Sequence, residues 1–481
     1  LWENEVTWLP GLFMLVDSSK IGDLKIDQDL PGNCCSDVAY TSAVRSAGCR
    51  IGMAAEKVYH VHKPWRDLPG KGYWETRNYL QNKYKYFRDC HEKEASTLKF
   101  HIPGLAYLPT HPQYSPCAFT SKLLGLCKML KMLGHEVYFY GAENSEVDCT
   151  EFIQCISEED RTRIYGEYDW HKDLFKVGDY QTGEAFKIFN ANAAREINAR
   201  KQRADFLLCQ VGYFQKPIAD EAGADLIIAE PGIGHAGIFA PYRVFESYTW
   251  MHYMYGMHHI DDGPWYDAVI PGYYDPEQFP ACYTKQDYFL FLGRIVKRKG
   301  IELAIQIAQK LGKKLIIAGQ GELNSEQEQL HLDPLPAGVE WVGAAGPEMR
   351  AELMGHALAV LMPVFYIEPF GAVAVESQFV GTPIITTDWG AFSETVLHGV
   401  SGYRCRTWDH FCFAANQCIN KEIDYHKCRE WAESNFSIHR AKLMYQEYFT
   451  NLYNLWTDKR GWYIENPERR ELNWLTKKYP K

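Results

Sequence analysis

From Tyr288 onward, short apolar runs alternate with amphipathic stretches. The runs are Tyr288 to Leu292, Lys314 to Ala318, Val339 to Val342, Leu358 to Leu361 and Pro383 to Thr386. Continuous apolar runs of this length are strands buried on both faces, and Ile301 to Ala308 has the spacing of a helix between two of them. Strands alternating with helices predict a parallel, doubly wound sheet whose ligands sit at the carboxyl ends of the strands. The chain from Thr97 to Pro271 opens in the same way. It shows a strand over His101–Leu108, a loop over Thr110–Ala118, a helix over Phe119–Leu133 and a strand over His135–Tyr140. Two further strands are predicted at Asp205–Gln210 and Asp225–Ile228. The expected fold class is therefore α/β, with two Rossmann-like domains and a cleft between them. Ile270-Pro271-Gly272 is the predicted linker.

The expected division is 1–96, 97–271, 272–436 and 437–481. In the last part a helix over Ser437–Trp456 crosses back to the first Rossmann-like domain, followed by a tail of mixed charge. Residues 1–96 show a strand at Gly11–Val16, a helix at Asp37–Ala47, a strand at Ala55–Val61 and an aromatic helical run from Tyr73 to Phe87, which is half a domain at most.

Composition changes this picture little. At 481 residues the chain is too long for one ordinary domain, and 46% hydrophobic with 23% charged residues is a globular composition. No apolar run reaches the length of a membrane span. A net charge of -10 argues against a broad nucleic-acid surface. The fourteen cysteines form no CxxC pair and are scattered through apolar segments, so they read as reduced core thiols. The expected setting is cytoplasmic, a host's cytoplasm if the chain is viral.

The most informative stretch is Glu368-Pro-Phe-Gly-Ala-Val-Ala-Val-Glu376, which follows one apolar run and opens a helical one. At about 100° per residue, acids eight positions apart on one helix stand about 80° apart. Both face one ligand only if Glu368 is on the loop and Glu376 on the helix. The helix start at Gly371 then aims free N–H groups at the same place. Carboxylates suit hydroxyls and amides suit phosphate, which together suggest a sugar nucleotide. In Phe291-Leu-Gly-Arg-Ile-Val-Lys-Arg-Lys-Gly300, Gly293 lets the chain turn, and Arg294 and Lys299 flank the cleft as partners for a diphosphate. The plain alternative is a solvated basic helix start. Gly319-Gln-Gly321 is a phosphate turn or an ordinary strand exit.

Glu230-Pro-Gly-Ile-Gly-His235 follows a predicted strand, so Glu230 and His235 are candidates for contact with the reacting sugar. A lone histidine is more often structural. His258-His259 with Asp261-Asp262 does not read as a metal site, because adjacent side chains point apart. The aromatic run Tyr242–Tyr255 reads as an interdomain helix, with a stacking platform for a sugar or base as the alternative.

From about Leu98 to Trp456 the chain resembles retaining glycosyltransferases of the GT-B fold, close to glycosyltransferase family 4. The ordered set that carries this is Gly293-Arg294…Lys299-Gly300, Gly319-Gln-Gly321, Val339-Glu-Trp-Val-Gly343, Glu368-x7-Glu376 and Gly381-Thr-Pro383, together with the linker Val269 to Phe279. The resemblance implies that Arg294 and Lys299 hold the donor diphosphate, with Gly293, Gly321 and Val342 in the donor site. It implies that Glu368 binds the sugar hydroxyls as part of the catalytic set. It further implies that Phe370, Gly371 and Ala372 offer amides to phosphate and sugar, and that Glu376 binds the ribose. A UDP-sugar is the expected donor, with no cofactor and no metal. Retention implies front-face attack by the acceptor hydroxyl, assisted by the departing phosphate. Two departures stand out. The family's Gly-Gly pair is replaced by Pro109-Thr-His-Pro-Gln-Tyr-Ser-Pro-Cys117, and its fifth-strand His falls on Glu230, with His235 five residues on.

Residues 1–96 resemble the second half of a GT-A, family 2 glycosyltransferase, through Gly11–Asp17, Ile21–Asp27, Ser36-Asp37, Arg45–Arg50 and Val58–His62. Asp37 matches that family's acceptor-activating acid and His60 its strand-end histidine. The metal-binding DxD half is missing, so this segment is expected to be inert. The expected acceptor is a glycan or lipid-linked saccharide. Hydroxymethylated DNA bases and a non-catalytic sugar-nucleotide scaffold are the alternatives. A dehydrogenase is disfavoured, since no GxGxxG follows the first strand of either sheet.

Overall fold

The computed structural model describes residues 6–9, 12–15 and 97–457, except 116, 168–182 and 265. The expectations for Asp37, His60 and the rest of 17–96, and for the tail after 457, lie outside these residues. Within the first 96 residues, β1 (Val6–Leu9) and β2 (Leu12–Leu15) pair as an antiparallel hairpin.

Residues 97–457 carry two sheets. The first comprises β3 (Lys99–Pro103), β4 (Glu136–Ala142), β5 (Glu151–Ile156), β6 (Phe206–Leu208), β7 (Ile227–Ile233), β8 (Tyr242–Phe245) and β9 (Ala268–Val269). They lie in the order β5-β4-β3-β6-β7-β8-β9, with each pair parallel. Helices α1 (Ala118–Met132), α2 (Glu158–Tyr165), α3 (Glu184–Arg200), α4 (Lys216–Ala222) and α5 (Tyr248–Met257) supply crossovers that parallel strands require.

The second sheet is built from β10 (Tyr288–Leu292), β11 (Lys314–Ala318), β14 (Val339–Trp341), β15 (Ala359–Met362), β16 (Ile384–Thr387) and β17 (Gly402–Cys405). Its order is β14-β11-β10-β15-β16-β17, again with parallel pairs, and a small hairpin of β12 (Asn324–Ser325) and β13 (Leu330–His331) follows β11. Its helices are α6 (Ile301–Lys310), α7 (Pro347–His356), α8 (Ala372–Phe379), α9 (Phe392–Thr395), α10 (Trp408–Ile419) and α11 (Tyr425–Phe436). The pattern is clearest in α6, where Ile301, Ala304, Ile305, Ile307 and Ala308 are buried and Gln306, Gln309 and Lys310 are exposed. In both sheets the strand order reverses beside the first strand, and a crevice for ligands opens beyond the carboxyl ends there.

The last helix, α12 (Ile438–Thr457), packs in the core of the first domain. Phe449 meets Phe100 and Phe206 edge-on, at 5.0 and 5.2 Å between ring centres. The chain thus crosses between the domains twice, and the crossings are fastened together: Tyr274 N donates to Phe436 O at 2.9 Å, and Ile438 N to Tyr274 O at 2.8 Å. Among the described residues, no helix is long and apolar enough to cross a membrane.

Three expectations change. The strand expected at Asp225–Ile228 continues through Pro231 and Gly232 to Ile233, with a register shift against β8 between Glu230 and Ile233. The aromatic run is not one helix, since Tyr242–Phe245 is strand and the helix starts at Tyr248. The strand expected over His101–Leu108 covers Lys99–Pro103.

Candidate active site

The strand exits of the second domain are shaped by glycines. A Cβ on Gly319, at φ +157°, would lie 1.7 Å from the carbonyl oxygen of Gly293, so glycine is required for the turns after β10 and β11 to touch. Ile295 N then donates to Gln320 O at 2.8 Å, which aligns the two turns. Arg294 is exposed at this edge.

After β15 the chain passes Tyr366 and Glu368 and enters α8 at Gly371. Gly371 is left-handed at φ +83°, and no side chain caps the helix. The first amides of α8 therefore keep no intrahelical acceptor. Glu368 is on the loop and Glu376 within the helix, and both line one cavity of about 300 Å³. Arg294, Gln320, Phe370, Gly371, Ala372 and Gly293 line it from the same domain, and Lys122, Gln210, Gly232, Gly234 and Glu246 from the other. A larger cavity of about 1050 Å³ adjoins it and shares Tyr273, Tyr274, Arg350 and Glu376.

Each acid is already held. Lys299 Nζ donates to Glu368 Oε2 at 3.0 Å, and the Tyr366 hydroxyl donates to the same oxygen. Lys299 and Arg298 also stand over the Tyr366 ring, each 5.0 Å from its centre. Burial and the Glu368 charge push the Tyr366 phenol far above its ordinary range, so it stays a donor. Glu376 accepts from Arg350 of α7.

Not every expected residue reaches the cavity. Lys299 acts from behind Glu368. Gly321 packs on Ile295, where an added Cβ would lie 2.8 Å from the Ile295 Cβ. Val342 bonds back to Ile317 O at 2.9 Å, and Ala344 and Ala345 form the wall instead.

Glu230 is corrected more sharply. It is fully buried inside β7, and its Oε2 accepts from Phe239 N and Ala240 N, both at 2.9 Å. It braces the following loop and does not line the cavity, because the strand runs past it. Burial raises its carboxyl to about 7, against the pull of those two amides. His235 does not line the cavity either. Its ring packs against Phe119 at 5.7 Å, and a Cβ on Gly212 would touch its Nε2. Neither ring nitrogen has a hydrogen-bond partner among the described residues, and burial, with the Lys122 charge, lowers the ring to about 3. The imidazole is therefore neutral, with both nitrogens buried.

The first-domain wall is instead built by residues the sequence did not single out. Lys122 Nζ donates to Glu246 Oε2 at 2.8 Å and to Gly232 O at 3.1 Å. Gln210 is buried with its Oε1 unpartnered among the described residues. Arg350 was equally silent. Two contacts clamp the domains beside this wall. Ser247 Oγ donates to Pro369 O at 2.6 Å, and the carboxylate of Glu394 accepts from the amides of Tyr248 and Thr249, each at 2.8 Å.

The cavity thus offers carboxylates for hydroxyls, amides and Arg294 for an anion, and a closed opposite wall. Residues 277–434 match the family described as glycosyl transferases group 1. Over 118 residues the chain is 34% identical to the uncharacterized glycosyltransferase MJ1607 of Methanocaldococcus jannaschii, covering 24% of this chain and 30% of that protein. It spans under a third of the length of the first curated relatives it matches. A solved glycosyltransferase involved in avilamycin A biosynthesis, AviGT4, superposes with a TM-score of 0.54 at 20% identity, covering 74% of this chain and 98% of that one. Anabaena Alr3699/HepE in complex with UDP-glucose gives 0.50 at 14% identity, over 73% and 99%. The fold is GT-B, and residues 277–434, in the second domain, are the part that matches glycosyl transferases group 1.

Proposed function

We propose that this chain is a retaining glycosyltransferase that moves a sugar from a nucleoside diphosphate sugar to an acceptor hydroxyl. The observation that carries this reading is the convergence of Arg294, the Gly371 turn, Glu368 and Glu376 on one cavity at the strand-order reversal of the second domain. Arg294 and the first amides of α8 take the diphosphate. Glu368, oriented by Lys299 and Tyr366, takes hydroxyls of the donor sugar, and Glu376 takes the ribose diol. Arg350 donates to Glu376 Oε2 and orients the carboxylate, which has further acceptor sites for the diol.

The leaving diphosphate gains negative charge as the bond to the anomeric carbon breaks. A guanidinium and a helix start stabilise that charge where it develops, which is the work a metal does in other enzymes. A UDP-sugar is the donor we favour, supported by the UDP-glucose bound in the HepE structure. A glycan or lipid-linked saccharide is the acceptor class that fits the glycosyltransferase reading.

A thermal-shift screen of nucleoside diphosphate sugars tests this directly, since a ligand that binds the folded state raises its melting point. UDP-sugars are expected to raise it, and donor turnover to follow. No shift with any sugar nucleotide, and no donor hydrolysis or transfer, would remove the reading.

A further inference from the structure

On α7, Arg350 is turned inward while Glu348, Met349 and Glu352 are exposed. It sits in the first turn of that helix, where Arg350 N donates to Gly346 O at 2.8 Å. Its guanidinium donates to Oε2 of Glu376 on α8, and the two side chains are 16% and 9% exposed. Tyr274 approaches the same carboxylate from the crossing between the domains, and its phenol hydrogen-bonds to Glu376. Burial, and then the Glu376 charge, push this phenol far above its ordinary range, so it stays a donor. The backbone of Tyr274 is itself tied to Phe436 and Ile438. Glu376 is thus held by two donors from two other segments. All three residues line both cavities.

A buried ion pair between two helices contributes little that an apolar pair of similar size would not, so packing of α7 on α8 does not account for it. A carboxylate has about four acceptor sites, and two donors leave others for a ligand. What the two donors remove is freedom to turn. A mobile carboxylate would swing to water when a ligand hydroxyl is missing. A pinned and buried one keeps an unpaired acceptor instead, and that penalty rejects the ligand.

On the reading that Glu376 takes the ribose diol of a nucleoside diphosphate sugar, we infer that Arg350 and Tyr274 are positioning residues that make this site select a ribonucleotide over its 2′-deoxy counterpart. They act through Glu376 and touch none of the reacting atoms. Arg350 fixes Oε2 from the second domain, and Tyr274 steadies the carboxylate from the domain crossing. The rest of the carboxylate's acceptor sites then face one fixed place, where the two ribose hydroxyls are read together.

Calorimetry with uridine, UDP and 2′-deoxy-UDP tests this on the 481-residue chain and on its Arg350→Met and Tyr274→Phe variants, with melting points recorded alongside. The parent is expected to bind UDP about tenfold or more tighter than 2′-deoxy-UDP, the range for leaving one buried acceptor unpaired. Arg350→Met is expected to bring that ratio down to about threefold or less. Tyr274→Phe deletes a single oxygen and is expected to lower the ratio by about twofold or more, which keeps the test in force if Arg350→Met does not fold. The preference for UDP over uridine should stay with the parent's in both variants, because neither residue is assigned to phosphate. A merely structural role would weaken UDP and 2′-deoxy-UDP alike, and an unchanged ratio in both variants overturns the proposal. A fall in the preference for UDP over uridine in Arg350→Met also overturns it, by making Arg350 a diphosphate ligand. A parent that binds UDP and 2′-deoxy-UDP equally removes this inference and leaves the glycosyltransferase reading standing. A parent that binds none of the three probes removes the UDP reading, and the inference with it.

Discussion

Glu394 receives Thr249 across the domain boundary: its Oε1 accepts from the Thr249 amide at 2.8 Å and from the Thr249 hydroxyl at 2.7 Å. Its other oxygen takes the Tyr248 amide at 2.8 Å, so one carboxylate from α9 closes the open start of α5. An acid there is favoured by the free amides and by the helix dipole, by about 1–2 kcal/mol. Glu394→Ala is expected to loosen the cleft. Small-angle scattering should show a larger radius of gyration without donor, and donor KM should rise about tenfold, a loss of about 1.4 kcal/mol in binding. An unchanged radius and KM would show that closure does not depend on this contact.

Arg294 lines the cavity from an exposed position and makes no ion pair with a carboxylate among the described residues. Arg294→Ala is expected to reduce kcat/KM by about 100-fold or more, the scale of losing one charge-stabilising donor. Its melting point should stay with the parent's, because little packing is lost. Full activity in this variant would show that the diphosphate lies elsewhere.

Glu230 has the opposite profile. Burial raises its carboxyl from an ordinary 4.5 to about 7 in the folded protein. The ionised form is therefore disfavoured by folding. Stability from this group is full below about pH 4.5 and is lost as pH rises through 7. Gln in its place can still accept the Phe239 and Ala240 amides without ionising. The melting point of Glu230→Gln relative to the parent should climb between pH 5 and pH 8, by at most about 3 kcal/mol in stability, and transfer should persist. A flat difference across that range would place the carboxyl's titration elsewhere.

Gly371 opens α8 in the left-handed region at φ +83°, and a Cβ there would sit 2.6 Å from the Phe392 ring. Gly371→Ala combines a strained backbone, worth about 1–2 kcal/mol, with a clash that shifts the helix start. UDP affinity measured by calorimetry should fall at least tenfold while far-UV dichroism stays unchanged. Retained affinity would detach the turn from phosphate binding.

The donor side was legible because one short stretch contains its whole logic. Glu368 and Glu376 can share a ligand only across a loop-to-helix junction, and an apolar run before them supplies the strand. The facing wall was not legible. Lys122 and Glu246 lie 124 residues apart and are ordinary charged residues until the fold joins them. Arg350 is likewise one charge on a helix with no motif around it. Glu230 reads as a loop acid because Pro231 and Gly232 look like the end of a strand. The chain absorbs them in β7 through a register shift against β8, and the carboxylate is drawn inside. The strand Tyr242–Phe245 was hidden because an aromatic run carries no clear period of two.

The return of α12 makes the second domain an insertion in the first. Phe449 closes the aromatic stack of Phe100 and Phe206, so a fragment ended at residue 271 would leave that stack open to water. The natural excision is the intervening piece. Its two cut ends, at Tyr274 and Ile438, already stand within hydrogen-bonding distance, and a short splice there would leave the first domain's interior complete.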